Sequence, residues 1–259
     1  MTLRIFITGA SSGIGAALAR HYAQPDVVLG LVARRKEALQ TLAAELGATV
    51  ESYSADVGDS DALRTAATDF MSRHGVPDIV IANAGISVGT AGGEEADLEV
   101  LERVMRTNVL GLAATLQPFV APMREKRAGT LVGISSVAGF RGLPGSGAYC
   151  ASKAAATTWL ESLRVELVGS GVSVVTICPG FIDTPMTGKN PYAMPFMISA
   201  DECASRMSRA IGLKRRCVVI PWQMGIVGFV LRRLPTWAFD RIAGDMPRKP
   251  RDAGNPPTR

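Results

Sequence analysis

Leu3-Arg4-Ile5-Phe6-Ile7-Thr8 reads as a buried strand, and it runs without a break into Gly9-Ala10-Ser11-Ser12-Gly13-Ile14-Gly15 and then an Ala-rich helical segment. Strand, glycine turn and helix in direct succession are the parts of a phosphate cradle. Glycines let the backbone turn tightly and approach a pyrophosphate, whose charge is stabilised by the free N–H groups and the dipole at the helix N-terminus. The spacing is G-x-x-x-G-x-G rather than the commoner G-x-G-x-x-G, and a glycine turn can also be a plain tight connection. Its position between strand and helix favours a dinucleotide.

The rest of the chain repeats the alternation. Apolar strand patterns at 27–32, 49–54, 78–82, 130–135, 172–178 and 217–220 are separated by helical patterns. This predicts an α/β, Rossmann-type, doubly wound parallel sheet of about seven strands with helices on both faces, and a ligand outside the strand C-termini. With 259 residues, 47% of them hydrophobic, one α/β domain over 1–220 is expected, without a second large domain. The second strand ends in Ala33-Arg34-Arg35. An acid there would hold the ribose hydroxyls of NAD, whereas arginine accommodates the extra phosphate of NADP, so NADP(H) is favoured over NAD(H). The bland alternative is that Arg34 and Arg35 only cap the next helix.

Tyr149 and Lys153 stand four residues apart in an Ala-rich helical run, which puts a phenol and an ammonium on one helix face. A nearby positive charge favours the phenolate, and such a pair suits proton transfer at an alcohol oxygen. The spacing alone is equally compatible with a packed tyrosine and a solvated lysine. Cys150, Cys178, Cys203 and Cys217 form no C-x-x-C pair, which suggests free thiols and neither a disulfide framework nor a metal site. His21 and His74 read as structural. No secretory signal and no run of the roughly 18 apolar residues needed for a spanning helix is seen, and a cytoplasmic protein is expected.

The ordered set Thr8-Gly9-Ala10-Ser11-Ser12-Gly13-Ile14-Gly15, Asn83-Ala84-Gly85, Asn108, Ser136 thirteen residues before Tyr149, Lys153 and Pro179-Gly180 resembles the short-chain dehydrogenase/reductase family over about 3–220. The resemblance implies that Tyr149 is the catalytic acid/base, that Lys153 lowers its pKa and binds the nicotinamide ribose, and that Ser136 positions the substrate oxygen. It implies that Asn108 supports a water that relays protons through Lys153. Ser135 competes with Ser136, but neighbouring strand residues face opposite ways. The cofactor would be held by Gly9, Ser11, Ser12, Gly13, Ile14, Gly15, Arg34, Arg35, Asp56, Val57, Asn83, Ala84, Gly85, Pro179, Gly180, Ile182 and Thr184, together with Tyr149 and Lys153. Ala82 stands where the family often has a second Asn, and Ser12 where some NADP-dependent members carry a basic residue. The implied activity is hydride transfer between NADP(H) and a carbonyl/secondary alcohol pair. A non-catalytic cofactor-binding regulator or a membrane-attached scaffold are the alternatives, and the full Asn108, Ser136, Tyr149, Lys153 set favours catalysis.

Residues 185–198 lack periodicity and carry Met186, Tyr192, Met194, Phe196 and Met197. In the family this segment is a lid over the substrate. Flexible methionines suit an irregular apolar site, which makes Met186 and Phe196 candidate substrate contacts, though ordinary lid packing explains them too. Ser199 with Glu202 forms a capping box for the next helix. Residues 221–245 read as an apolar and basic helical extension, and 246–259 as a flexible tail. Between 206 and 251 eleven Lys or Arg face only Asp240 and Asp245, a local balance of +9 within a chain of +5. A peripheral membrane contact through 222–243, an oligomer surface and a lid-covering surface all fit the extension. The other expected partners are a small apolar carbonyl or alcohol and further copies in a homodimer or homotetramer. No nucleic-acid signature is present.

Overall fold

Apolar residues alternate from one side of each long strand to the other, and both sides are covered by helices. The computed structural model describes residues 2–188 and 190–251. Its strands are β1 (Leu3–Thr8), β2 (Val27–Ala33), β3 (Thr49–Ser54), β4 (Ile79–Ala82), β5 (Gly129–Ile134), β6 (Val172–Pro179), β7 (Ile182–Asp183), β8 (Ile198–Ser199) and β9 (Cys217–Ile220). The helices are α1 (Gly13–Tyr22), α2 (Lys36–Glu45), α3 (Ser60–His74), α4 (Asp97–Met105), α5 (Gly111–Lys126), α6 (Gly147–Glu166), α7 (Ala200–Gly212), α8 (Trp222–Arg233) and α9 (Thr236–Gly244). Seven strands pair in parallel in the order β3-β2-β1-β4-β5-β6-β9. The order reverses between β1 and β4, which opens a crevice at their carboxyl ends.

Ile5 and Ile7 of β1 and Leu29 and Leu31 of β2 pack with Leu18 of α1, Leu39 of α2 and Met207 of α7. Phe6, Val28 and Val32 point the other way, onto Leu63 and Phe70 of α3, Phe119 of α5 and Leu160 of α6. Strands buried on both faces are near-continuous hydrophobic runs for this reason. Local signals set the helix ends. The Asp59 carboxylate accepts from the Asp61 and Ala62 amides at 3.0 Å to start α3, and Gly75, with φ +84°, stops it. Ser199 Oγ accepts from the Glu202 amide at 3.1 Å to start α7, as the capping pattern predicts.

Three features depart from the sequence pattern. A single π turn, Arg106–Leu110, joins α4 to α5. The two-residue strands β7 and β8 pair with each other and close the base of the 185–198 segment. The expected loose tail does not describe 246–251: Arg251 bridges to Gly89 and its Nε lies 3.1 Å from Asp97 Oδ2, while Lys249 Nζ donates to Ser87 Oγ at 2.8 Å. Charge pairing with a carboxylate far away in sequence ordered this stretch, and composition does not encode that. Residues 252–259 lie outside the described residues. All four cysteines are free thiols, and only Cys217 is exposed.

Phe70 is fully buried, with its ring edge-on to Phe6 at 5.6 Å. Phe70→Ala should lower stability by about 3–5 kcal/mol. A lower urea midpoint at an unchanged denaturant slope is the expected readout.

Candidate active site

At the reversal point the chain crosses itself closely. Gly9 follows β1 with φ +69°, and a Cβ there would stand 2.7 Å from Ala84 Cα. A Cβ on Gly15 would stand 2.2 Å from the Gly9 carbonyl oxygen, so α1 can start only this close to the turn because Gly15 has no side chain. Asn83, just past β4, donates from Nδ2 to the carbonyls of Thr8 (3.1 Å) and Gly9 (3.3 Å) and ties the two strand exits together.

These contacts form one wall of a cleft of about 320 Å³. Every residue expected at the cofactor lines it except Gly15, which lies behind the turn. Ile182 lines it too and is buried in the core cluster. Val57 is likewise buried, its side chain against Gly111. Ala55, Ile86, Thr107 and Thr187 also line the cleft and were not anticipated. Thr107 arrives through the π turn, which carries no periodic signal. Thr187 arrives because its hydroxyl accepts from the Thr184 amide at 3.0 Å, and the Thr184-Pro185-Met186-Thr187 spacing could have indicated that turn.

The polar end of the cleft lies where β5, β6 and α6 meet. Ser136 follows β5, accepts from the Ala138 amide at 3.1 Å, donates to the Pro179 carbonyl at 3.4 Å, and lies near enough to the Tyr149 phenol to favour its ionised form. Ser135 bonds the Lys153 carbonyl at 2.9 Å and Thr157 Oγ1 at 2.6 Å. Lys153 is 4% exposed, and its Nζ donates to the Ile134 carbonyl at 2.8 Å, 5.7 Å from the centre of the Tyr149 ring.

In the protein by itself, burial outweighs the neighbouring ammonium at the phenol. Burial pushes Tyr149 up to about 12, and Ser136 offsets it only in part. Burial likewise lowers Lys153 to about 8. Desolvation disfavours the charged form of each group, and the ammonium spends its nearest contact on a carbonyl rather than on the phenol oxygen.

Asn108 sits fully buried on the π turn. Its Oδ1 accepts from the Ile86 amide at 2.8 Å, and its Nδ2 donates to the Ile86 carbonyl and to Ser152 Oγ, each at 2.9 Å. Ser152 in turn donates to the Tyr149 carbonyl at 2.8 Å. The side chain therefore braces α6 against the loop after β4.

At the opposite end, Arg35 reaches across the turn, donating to Ser11 Oγ at 3.1 Å and to the Ser11 carbonyl at 3.3 Å. Arg34 lies 3.6 Å from Asp56, whose other oxygen accepts from the Gly58 amide at 2.8 Å. Neither arginine caps α2 through its side chain. Of the two expected substrate contacts, Met186 lines the cleft and Phe196 does not. Phe196 adopts φ +59° just before β8, and its ring is half-exposed.

A nicotinamide dinucleotide fits this donor set. No side chain caps α1 and its first turn holds no acid, so its N-terminal amides are free to face a pyrophosphate. A Cβ on Gly85 would stand 3.5 Å from Lys153 Nζ, and glycine keeps the floor beside the ammonium clear. Fold and site together define an oxidoreductase of the alcohol/carbonyl couple.

Residues 4–194 match the family profile described as short chain dehydrogenase. An uncharacterized oxidoreductase of Myxococcus xanthus (strain DK1622) is 40% identical over 240 residues, covering 92% of this chain and 94% of that protein. Among solved structures, a short-chain dehydrogenase from Streptomyces avermitilis matches with a TM-score of 0.78 at 27% identity, over 95% of this chain and 99% of that one. An alcohol dehydrogenase from Thermococcus sibiricus, complexed with 5-hydroxy-NADP, matches with a TM-score of 0.74 at 26% identity, over 84% and 95%. The chain belongs to the short-chain dehydrogenase/reductase family.

In the unfolded chain Lys153 keeps its proton up to about 10.5, whereas in the fold it releases it near 8. Between these values the unfolded state binds more protons, so this group makes stability rise with pH. Lys153→Met should remove that rise. Urea unfolding of the two proteins from pH 7 to about 9, below the range in which tyrosine ionises in either state, measures the difference.

Proposed function

We propose that the protein interconverts an apolar carbonyl compound and its secondary alcohol with NADP(H), using Tyr149 as the acid/base group. The observation that carries this reading is that Tyr149, Ser136 and the buried Lys153 line one cleft, with the ammonium 5.7 Å from the centre of the Tyr149 ring. The bound nicotinamide supplies hydride in reduction and takes it up in oxidation. In reduction Tyr149 Oη gives its proton to the carbonyl oxygen, and Ser136 Oγ holds that oxygen by a hydrogen bond. A phenol raised to about 12 is fully protonated at neutral pH, which is the form reduction needs. Lys153 supplies the positive charge that stabilises the phenolate left behind, and Asn108 fixes the position of α6.

The NADP preference rests on Arg34 and Arg35 at the mouth of the cleft, with Arg35 held over Ser11. The NADP analogue in the Thermococcus sibiricus relative agrees with it. Met186 supports an apolar substrate. Exposed Leu110, Val165 and Val168 on and beside α5 and α6 supply surface for a homodimer or homotetramer.

Tyr149→Phe should cut turnover by about a hundred- to ten-thousandfold while NADPH binding holds. Activity within a few-fold of the parent would support a cofactor-sensing regulator instead. Each of Arg34→Gln and Arg35→Gln should weaken NADPH binding by about ten- to a hundredfold and leave NADH binding nearly unchanged. Fluorescence titration with both cofactors reads this, and equal losses would remove the NADP assignment. Nicotinamide absorbance across a panel of ketones, aldehydes and secondary alcohols defines the substrate class.

A further inference from the structure

α8 is apolar on two opposite sides. Its inner side packs onto the catalytic region: Met224 is 5% exposed and lies against Gly180, and Gly228 lies against the Phe140 ring. On its outer side Trp222, Ile226, Phe229 and Val230 are 64%, 58%, 56% and 50% exposed, at the spacing of one helical stripe. Trp237 and Ile242 of α9 add two more outward apolar side chains, 74% and 51% exposed.

The pair of helices is held firmly. Arg141, four residues past the 3-10 turn's first residue Val137, donates to the Leu231 and Leu234 carbonyls at 2.7 and 2.8 Å, and its guanidinium lies 4.1 Å over the Phe239 ring. The exposed face is therefore a fixed surface.

α8 carries charge of one sign: it has no acidic residue and ends in Arg232 and Arg233. α9 carries one charge of each sign, Asp240 and Arg241. The Arg233 guanidinium lies 3.6 Å over the Phe229 ring, at the edge of the apolar stripe. The helices belong to the 206–251 segment with its balance of +9, against −4 for the remaining sequence.

We propose that α8 and α9 form a docking surface for an anionic lipid bilayer. Tryptophans at the starts of both helices combine an apolar body with an indole N–H, which suits the headgroup boundary. Arginines around them complement anionic headgroups. A second copy fits less well, because Arg233 stands at the edge of the stripe and α8 offers no acid to pair with it across a two-fold contact. Among the described residues no helix is long and apolar enough to cross a membrane, so the contact is peripheral.

The placement bears on access to the site. Pro179 pairs with Ile220, and the Gly180 amide donates to the Ile220 carbonyl at 2.8 Å, so α8 starts at the sheet edge where the cleft opens. Docking there brings the inner end of the cleft toward the lipid, the phase in which an apolar substrate dissolves.

Vesicle flotation of the full chain tests this without reference to turnover. The parent should float with vesicles of phosphatidylcholine mixed with phosphatidylglycerol, not with phosphatidylcholine alone, and should be released as salt rises. The Phe229→Ser, Trp237→Ser double variant should stay in the soluble fraction. Arg233→Gln should bind anionic vesicles about fivefold more weakly. Unchanged NADPH titration shows that the variants are folded. The proposal is overturned if the parent ignores anionic vesicles or if the double variant floats like the parent. It is equally overturned if Phe229→Ser breaks a parent oligomer into monomers, which assigns the face to a second copy.

Discussion

A parallel sheet with helices on both faces leaves polar chemistry only the strand ends, and this constraint organises the molecule. Ile5, Phe6, Ile7, Leu29, Leu31 and Ile81 are fully or nearly fully buried because each strand is covered above and below. Each of the first five strands delivers a residue to the cleft just beyond its end: Gly9 after β1, Arg34 after β2, Asp56 after β3, Asn83 after β4 and Ser136 after β5. The reversal of strand order between β1 and β4 then separates the crossovers and leaves room between them. Asn83 makes that junction rigid by bonding two carbonyls of the other strand exit.

Within the cleft, burial is the main electrostatic influence. It moves Tyr149 and Lys153 toward their neutral forms from opposite directions, up for the phenol and down for the ammonium. The polypeptide holds the ammonium where water has been removed by giving it the Ile134 carbonyl. The lysine's own carbonyl is fixed by Ser135 and Thr157, and the first turn of α6 by Asn108 through Ser152. A buried cation costs several kcal/mol unless such partners are present. The hydrogen bonds around Lys153 therefore maintain the geometry against that penalty.

The periphery is bound to this centre by long-range contacts. Arg141 joins the extension to the loop after Ser136, and β7 with β8 anchors the 185–198 segment beside the exit of β6. The chain's basic end returns to Asp97, whose carboxyl lies below its usual range because the Ala91 amide, and then Arg251, stabilise the carboxylate. These attachments lie within a few residues of the site, so the extension belongs to the same structural unit.

Much of this was readable from residue order. The strand patterns fall within a residue or so of the observed strands, because a strand buried on both faces must be apolar throughout. The glycine turn, Asn83, Ser136, Tyr149 and Lys153 were legible because close backbone approach and helical spacing constrain residue type locally. The left-handed backbone of Phe196 carries no signal in residue order. The sequence by itself determined the sheet, the positions of the polar strand ends and the pairing of phenol with ammonium, since these depend on short-range periodicity. Tertiary structure alone decided the direction of both pKa shifts, the bracing role of Asn108, the docking of 246–251 and the outward apolar stripe of α8. Desolvation and contacts between distant segments exist only after the chain has closed on itself.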